Sequence, residues 1–335
     1  MLLYTPPKTT RIPVVDLAPS FSGTARGKAA VAEEIHKAAR GTGFFYVANH
    51  RIDPALTADA LAQARRFFDQ PYAAKLAVRQ TPASPRGYEP LEAQMLDKGS
   101  PGDLKEGFSI SGDPVPGDTT VTDPTSDFKP SKWPADLPGF RERVLAYYEP
   151  MTGLGRHLMR LIALSLDMPE DFFDAAYQWS YPSLRLHRYP PHPEQAAFNQ
   201  LGAGAHTDWG VITLLAQDQN GGLEVENAAG EWLRAEPIAN TFVVNLGDMI
   251  ARWTNDLYHS NMHRVLNNIS GSDRYSMALF YNPRFQTRVE CLPTCLPVDG
   301  KPNYAPCTAG EHIHAKRVEA RAAVGADVPF GARLG

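Results

Sequence analysis

The segment His206–Val225, HTDWGVITLLAQDQNGGLEV, carries the pattern that decides the fold class of this chain. Two short apolar runs flank the polar stretch DQNGG, and β-branched runs between turn-forming residues are typical of strands. Side chains alternate between the faces of a strand, so His206 and Asp208 are expected on one face, where they can share a metal ion. In isolation, the pair is also compatible with a buried histidine and its carboxylate partner.

Short runs of the same kind continue through the C-terminal half of the chain. They read LRLHRYP, GVITLLAQD, GLEVEN, TFVVNLGDMI, HRVLNN and RYSMALFYNP, with turn-forming residues between them. Regularly spaced short strands indicate an all-β sandwich or barrel. The β half therefore begins after Tyr181.

The N-terminal half has a different texture. Strands are predicted at 11–17 and 43–50, and helices at 28–40 and 53–71, from apolar spacing and from stop signals at Gly41 and Pro71. Residues 111–138 are rich in Pro, Asp, Thr and Gly, which favours an irregular surface segment. A long helix is predicted from Pro138 to about Leu166.

Composition narrows the class of protein. The 335 residues are 43% hydrophobic with a net charge of −4, which is typical of a globular protein and gives no reason to expect nucleic acid or an anionic membrane as partner. No apolar run approaches the roughly 18 residues of a membrane span, and the start MLLYTPPKTTRIP lacks the apolar core of a signal peptide. A cytoplasmic protein is expected.

All cysteines lie near the C-terminus, at positions 291, 295 and 307. An odd number in an otherwise cysteine-free chain argues against a disulfide framework and fits a reducing compartment. The alternative is a zinc site with His312 or His314, but this spacing is unlike that of common zinc fingers.

A third histidine makes the His-x-Asp pair more specific. His263 opens the strand-like run HRVLNN, and antiparallel pairing would place it beside His206 and Asp208. Two histidines and one carboxylate with open positions form the facial triad of non-haem Fe(II) oxygenases. Further on, Arg274 and Ser276 share a strand face and form a clamp suited to a carboxylate.

With these motifs in order, the chain resembles the Fe(II)/2-oxoglutarate dioxygenases of the isopenicillin N synthase-like branch. RIPVVDL, GTGFFYVANH, RGYEP, DLKEGF, NLGDMIARWTND and RYSMALFYNP extend the resemblance over nearly the whole chain. It implies a mainly β, α+β fold, a double-stranded β-helix (jelly roll) with an N-terminal α/β extension and a long supporting helix. The implied division is 1–138 extension, 139–180 supporting helix region, 181–290 jelly-roll core, and 291–335 tail packing on the core.

The resemblance also implies roles for individual residues. His206, Asp208 and His263 match the iron ligands, and Arg274 and Ser276 match the pair that holds the distal carboxylate of 2-oxoglutarate. Tyr189 matches a tyrosine that commonly hydrogen-bonds this cosubstrate. His187 stands where many members have asparagine, so a contact made by that asparagine is not carried over.

Candidate substrate residues rest on a weaker resemblance. Arg86 and Tyr88 are similar to positions near the pocket mouth, and Phe108, Trp209 and Tyr281 are expected to line the pocket. Arg86 is equally compatible with a helix cap or an ion pair with a nearby glutamate. Trp209 and Tyr281 are equally compatible with the barrel core.

The implied activity is oxidation of an unactivated C–H bond of a small molecule, most often hydroxylation, with release of succinate and CO2. Fe(II), 2-oxoglutarate and O2 are the implied cofactor and cosubstrates, with ascorbate as an activator, and the expected state is a monomer. One alternative is an iron oxidase of the same fold that does not use 2-oxoglutarate. The other is a jelly-roll binding protein without catalysis.

Overall fold

The computed structural model describes residues 11–324 apart from 82, 98, 99, 119, 123–127, 195, 198 and 299. The predicted absence of a signal peptide concerns residues 1–10, which lie outside the described residues. The end of the predicted tail, residues 325–335, lies outside them as well.

The three helices predicted from the sequence are present. Thr24 and Asp53 cap the first two by accepting hydrogen bonds from the backbone N–H groups of Gly27 and Ala55. The predicted helices at 28–40, 53–71 and 138–166 are confirmed with ends shifted by a few residues. Within the described ranges the helices are α1 Ala25–Gly41, α2 Pro54–Phe68, α3 Tyr72–Ala77, α4 Phe140–Ser165, α5 Asp174–Tyr177, α6 Asp248–Trp253 and α7 Ala309–Val324.

The strands are short, as their spacing in the sequence predicts. Their bounds are β1 Val14–Asp16, β2 Phe44–Ala48, β3 Gly87–Glu89, β4 Glu106–Ile110, β5 Ser183–Tyr189, β6 Ala203–His206, β7 Ile212–Gln217, β8 Leu223–Glu226, β9 Trp232–Arg234, β10 Phe242–Leu246, β11 His263–Val265, β12 Arg274–Tyr281, β13 Arg288–Val289 and β14 Cys307–Thr308. Residues 111–138 form coil, turns and a 3-10 helix at Thr120–Thr122 where they are described, so the prediction of an irregular segment is confirmed for that part.

Two sheets form the jelly roll. The large sheet has the order β1-β2-β10-β7-β12-β5-β4-β3, and the smaller sheet has the order β6-β11-β8-β9. A buried apolar cluster joins them, because Phe44, Tyr189 and Val243 of the large sheet pack with Val225 and Val265 of the small one. The space between the sheets is therefore partly core and partly open for a site.

The other face of the large sheet is covered by helices. α4 packs on β12, β7 and α1, and α2 packs on β5 and β12. Alternation along β12 sends Met277 and Leu279 into this helix-covered core, while Arg274, Ser276 and Ala278 face the space between the sheets. The long helix thus supports the strand that carries the predicted clamp.

The N-terminal segment is built into the same sheet. β1 runs parallel to β2, and β2 pairs with β10, whereas β3 and β4 extend the opposite edge through β5. Backbone hydrogen bonds of the large sheet therefore join strands that lie before and after residue 138, the predicted end of the N-terminal extension. No helix in the described part of the chain combines the length and hydropathy that crossing a bilayer requires.

Candidate active site

A cavity of about 480 Å³ opens between the two sheets. Its size lies within the usual range for small-molecule sites. The predicted metal and cosubstrate residues all contribute to its wall, namely His206, Asp208, His263, Arg274, Ser276 and Tyr189. Residues far apart in sequence thus meet in one place.

His206, Asp208 and His263 form a compact set of potential metal ligands. Each offers one ligand atom, and these atoms lie within 4.8 Å of one another. β6 and β11 pair antiparallel with His263 opposite His206, as the sequence predicts. Asp208 differs from the prediction, because β6 ends at His206 and Asp208 lies in the following loop, where its carbonyl accepts the Asp248 N–H at 2.7 Å.

Backbone carbonyls orient both imidazoles. The Nδ1 of His206 is 2.8 Å from the Gly204 carbonyl oxygen, and the Nδ1 of His263 is 3.3 Å from that of Asn261. A carbonyl only accepts, so Nδ1 is the donor in each ring and Nε2 is the nitrogen left to face a metal. Burial, with His263 beside it, lowers the pKa of His206 to about 3, so this ring is neutral and ready to bind a metal.

The carboxylate of Asp208 is held on one side only. Its Oδ2 accepts hydrogen bonds from the Thr213 hydroxyl at 2.5 Å and the Asn245 amide at 2.7 Å. Burial raises the pKa of Asp208, but the neighbouring histidines and these two donors outweigh it and lower the pKa. The other oxygen, Oδ1, faces Nε2 of His263 at 3.9 Å, a separation that leaves room for an ion between them.

No second cluster of three metal-binding side chains occurs among the residues that the structure describes. The zinc alternative is thus not supported: Cys291, Cys295 and Cys307 are free thiols. His312 instead directs its Nε2 to the Trp209 carbonyl oxygen at 2.9 Å.

Arg274 lies almost fully buried at the far end of the cavity. Its Nε donates to the Gly221 carbonyl, its Nη2 lies 3.3 Å from Oε1 of Gln217, and its guanidinium stacks 4.6 Å from the Tyr189 ring centroid. Its Nη1 is buried without a hydrogen-bond partner. An unpaired buried donor on a charged group is costly, so this atom fits an anionic ligand that enters the cavity.

His187 occupies the wall between the predicted cosubstrate residues. It is buried, and its Nδ1 has no hydrogen-bond partner. Burial, with Lys105 nearby, holds the pKa of His187 well below its usual range, so the ring is neutral. A neutral imidazole with an unpaired ring nitrogen offers the cavity one polar contact.

The structure separates the predicted substrate residues into two groups. Arg86 and Trp209 line the cavity, with Arg86 donating to the Ser183 hydroxyl at 2.7 Å. Tyr88, Phe108 and Tyr281 do not line it, contrary to the prediction.

Each of these three side chains is fixed in the helix-covered core for a physical reason. Tyr88 donates its hydroxyl to Glu106 at 2.6 Å, and Phe108 packs against Phe67. Tyr281 stacks on Tyr177 with ring centroids 4.5 Å apart. Sequence alternation does not show which face of a strand the helices cover.

Several lining residues were not predicted from the sequence. Arg185 lies two positions before His187 in SLRLHRY, so strand alternation places both on one face and was the available signal. Asn245 is a lone polar residue in the apolar strand FVVNL, which is a similar signal. Others are brought in by loops and by α7, which sequence periodicity does not reveal: Lys105, Lys129, Asn282, Phe285, Ile313 and Arg317.

Comparison with known proteins agrees with this geometry. Residues 180–283 match the 2OG-Fe(II) oxygenase superfamily, and residues 12–136 match the N-terminal region described as non-haem dioxygenase in morphine synthesis. The chain belongs to the Fe(II)/2-oxoglutarate dioxygenase family. It is a non-haem iron enzyme that uses 2-oxoglutarate, which argues against the oxidase and binding-protein alternatives.

Relatives match along most of their length. The 2-oxoglutarate-Fe(II) type oxidoreductase hxnY of Emericella nidulans is 36% identical over 311 residues, covering 91% of this chain and 88% of that protein. Homoarginine-6-hydroxylase 2-ODD-C23 of Glycine max is 34% identical, covering 91% and 96%. The crystal structure of a full-length Neurospora crassa protein in complex with alpha-KG superposes with a TM-score of 0.82 at 30% identity, covering 92% and 96%.

Proposed function

We propose that this enzyme hydroxylates an unactivated C–H bond of a small molecule. His206, Asp208 and His263 hold Fe(II) in this proposal, and Arg274, Ser276 and Tyr189 hold 2-oxoglutarate. When bound, the iron with 2-oxoglutarate and O2 supplies the oxidant, and succinate and CO2 are released. The homoarginine hydroxylase among the relatives supports hydroxylation over desaturation or ring closure.

The donor set suits iron. Two imidazoles and one carboxylate leave positions for exchangeable ligands, which is the pattern of non-haem Fe(II) oxygenases. Hydrogen bonds fix the orientation of the three side chains: the imidazoles contact the carbonyls of Gly204 and Asn261, and Asp208 accepts from the Asn245 amide. Such supporting contacts keep the ligand atoms in place before the metal arrives.

The opposite end of the cavity suits a dicarboxylate. The buried guanidinium of Arg274 has an unpaired Nη1, and the Ser276 side chain lies on the same strand face. An arginine binds a carboxylate through charge-assisted hydrogen bonds, and burial strengthens them. Tyr189, paired with Arg274 in strand register, holds the guanidinium from the side.

One observation carries the proposal. The three ligand atoms within 4.8 Å of one another and the unpaired Nη1 of Arg274 belong to the wall of one cavity. A ligand with one carboxylate for the arginine and a chelating end for the metal satisfies both, and 2-oxoglutarate is such a ligand.

The decisive experiment is an anaerobic titration of the purified protein with Fe(II) and then 2-oxoglutarate, followed by visible absorption. We expect a charge-transfer band of the chelate in the wild type and its loss in His206→Ala. His192→Ala is the matched control, because His192 lies outside the metal-binding cluster. Iron binding without the band would contradict the proposed cosubstrate site, and an unchanged band in His206→Ala would contradict the proposed ligand set.

The compartment and the oligomeric state of the protein are also proposals. We propose a cytoplasmic monomer that acts on a small-molecule substrate, since three free thiols fit a reducing compartment. Light scattering after size exclusion measures the mass directly, and a dimer would contradict the proposed state.

A further inference from the structure

We propose that the substrate is a carboxylate-bearing small molecule whose carboxylate pairs with Arg185. The inference rests on the proposed function, because it assigns the part of the cavity that iron and 2-oxoglutarate leave open. It is carried by the position of Arg185 along its strand, by the charges of the cavity wall and by the contacts of its guanidinium.

Strand register separates Arg185 from the cosubstrate end. In the pairing of β5 with β12, Arg274 is opposite Tyr189 and Arg185 is opposite Ala278. The two pairs are four residues apart along the strands, and all four residues line the cavity. Four residues of strand span roughly 13 Å. The five carbons of 2-oxoglutarate span at most about 5 Å between carboxyl carbons, from standard C–C bond lengths. A cosubstrate bound at Arg274 therefore does not reach the strand position of Arg185, and the proposal assigns this cation to a different molecule.

The cavity wall is strongly cationic. Among its described residues, Asp208 is the only one with a carboxylate, and that group belongs to the proposed metal site. Besides Arg274, the cationic side chains are Arg86, Lys105, Lys129, Arg185 and Arg317. Lys105 is neutralised by Asp103 at 3.0 Å. The wall itself thus presents more cationic than anionic side chains, which favours an anionic ligand.

The guanidinium of Arg185 is placed to bind such a ligand. It lies 5.5 Å from the centroid of the Phe280 ring and makes no hydrogen bond or ion pair with a described residue. Stacking on a ring uses the face of a guanidinium and leaves its N–H edge free, and that edge matches a carboxylate. Phe280, Phe285 and Ile313 lie in the same wall and offer apolar surface to the rest of the substrate.

The test compares matched ligands on protein loaded anaerobically with Fe(II) and saturating 2-oxoglutarate. Isothermal titration measures phenylacetate against phenylacetamide, and hexanoate against hexanamide, while the chelate band reports that 2-oxoglutarate stays bound. The variants are Arg185→Gln and the conservative Arg185→Lys. Arg234→Gln is the matched control, because Arg234 is largely exposed on β9 and outside the cavity wall.

For the wild type and Arg234→Gln we expect each carboxylate to bind at least about 10-fold more tightly than its amide, as befits a charge-assisted pair. The ratio falls to about 1 in Arg185→Gln, whereas Arg185→Lys retains part of it and 2-oxoglutarate affinity is unchanged in both. A preference for the carboxylate that survives in Arg185→Gln overturns the proposal. Wild-type protein that binds the amides as tightly as the acids, or does not bind the acids, overturns it as well.

Failure of the proposed function gives a different result. If the proposed function is wrong, the wild type shows no chelate band. The ratio of acid to amide affinity does not depend on that band, because it is also measured on metal-free protein. An Arg185→Gln variant that loses 2-oxoglutarate binding as severely as Arg274→Ala would assign Arg185 to the cosubstrate and overturn only the present inference.

Discussion

Asn245 donates its side-chain amide to Oδ2 of Asp208 at 2.7 Å, from a strand that is otherwise apolar. In register, Asn245 is opposite Thr213, which donates to the same oxygen. The two donors occupy one oxygen of the carboxylate and leave Oδ1 toward His263. A buried polar pair in adjacent strands thus determines which oxygen of Asp208 is offered to a metal.

Asn245→Ala is therefore expected to weaken Fe(II) binding by about 10- to 100-fold, the usual effect of removing a partner that orients a ligand. Competition with a chromophoric chelator measures the iron affinity. Asn227→Ala is the matched control, because Asn227 is also buried but bonds within its own turn. Equal losses in both variants would show that Asn245 acts only through stability.

Arg274→Ala is expected to reduce 2-oxoglutarate affinity by at least about 100-fold, because a buried charge pair is lost. Iron affinity is expected to stay nearly unchanged, since Arg274 does not contact the three ligands. Titration of the chelate band gives the first value and chelator competition gives the second. Equal loss of both affinities would contradict the role of Arg274.

Tyr189→Phe tests the hydroxyl apart from the ring. The ring stacks on Arg274, and phenylalanine keeps that contact. Loss of one hydrogen bond to the cosubstrate is expected to weaken 2-oxoglutarate binding by about 3- to 10-fold. Unchanged affinity in Tyr189→Phe, with a loss in Tyr189→Leu, would assign the residue to packing.

Phe108→Ala tests the correction made to the predicted substrate residues. Phe108 is fully buried among Phe67, Phe140 and Trp133, so truncation is expected to lower the free energy of unfolding by about 3–5 kcal/mol. Urea unfolding measures this loss. Affinity for phenylacetate in the folded variant is expected to match the wild type, and a selective loss of phenylacetate binding would return Phe108 to the cavity wall.

Acidification should destabilise the metal-free protein. Burial is the largest cause of lowered pKa in six histidines, His50, His157, His187, His206, His259 and His312. A lowered folded pKa means that the unfolded chain takes up more protons below about pH 6.5, so this stability is present above that pH and lost below it.

Each such proton changes the free energy of unfolding by about 1.4 kcal/mol per pH unit. Urea unfolding at pH 7.5 and pH 5.5 measures the combined effect, with a chelator present. His157→Gln removes one titrating group next to Ser20, so its pH dependence should be shallower than that of the wild type. Stability that does not fall between these pH values would contradict the burial argument.

The metal site was predictable because its geometry follows from strand pairing. His206 and His263 begin or end short strands, and antiparallel pairing places them opposite each other. The inward positions of Arg274 and Ser276 follow from alternation in one strand. Asp208 departs from the prediction because the strand ends at His206, and the end of a strand is not visible in a two-residue spacing.

The substrate end was less predictable because it depends on tertiary packing. Tyr281 turns to the helix-covered face, where Gly155 of α4 lets its ring approach so closely that an added Cβ would lie 2.6 Å from it. In the sequence, a glycine within a helix only lowers the helix propensity and does not show which side chain it admits. Ile313 and Arg317 reach the cavity from α7, some 100 positions after Asp208, and no local pattern predicts that docking.

The pairing of β2 with β10 joins residues about 200 positions apart, and β4 with β5 joins segments separated by the whole of α4. During synthesis, β2 therefore stays without β10, its antiparallel partner, until most of the chain has left the ribosome. Such long-range pairing slows folding and exposes unpaired strand edges in the meantime. A fragment beginning at residue 181 would lack β2 and β4 and keep those edges open, so it should aggregate rather than fold as an autonomous unit.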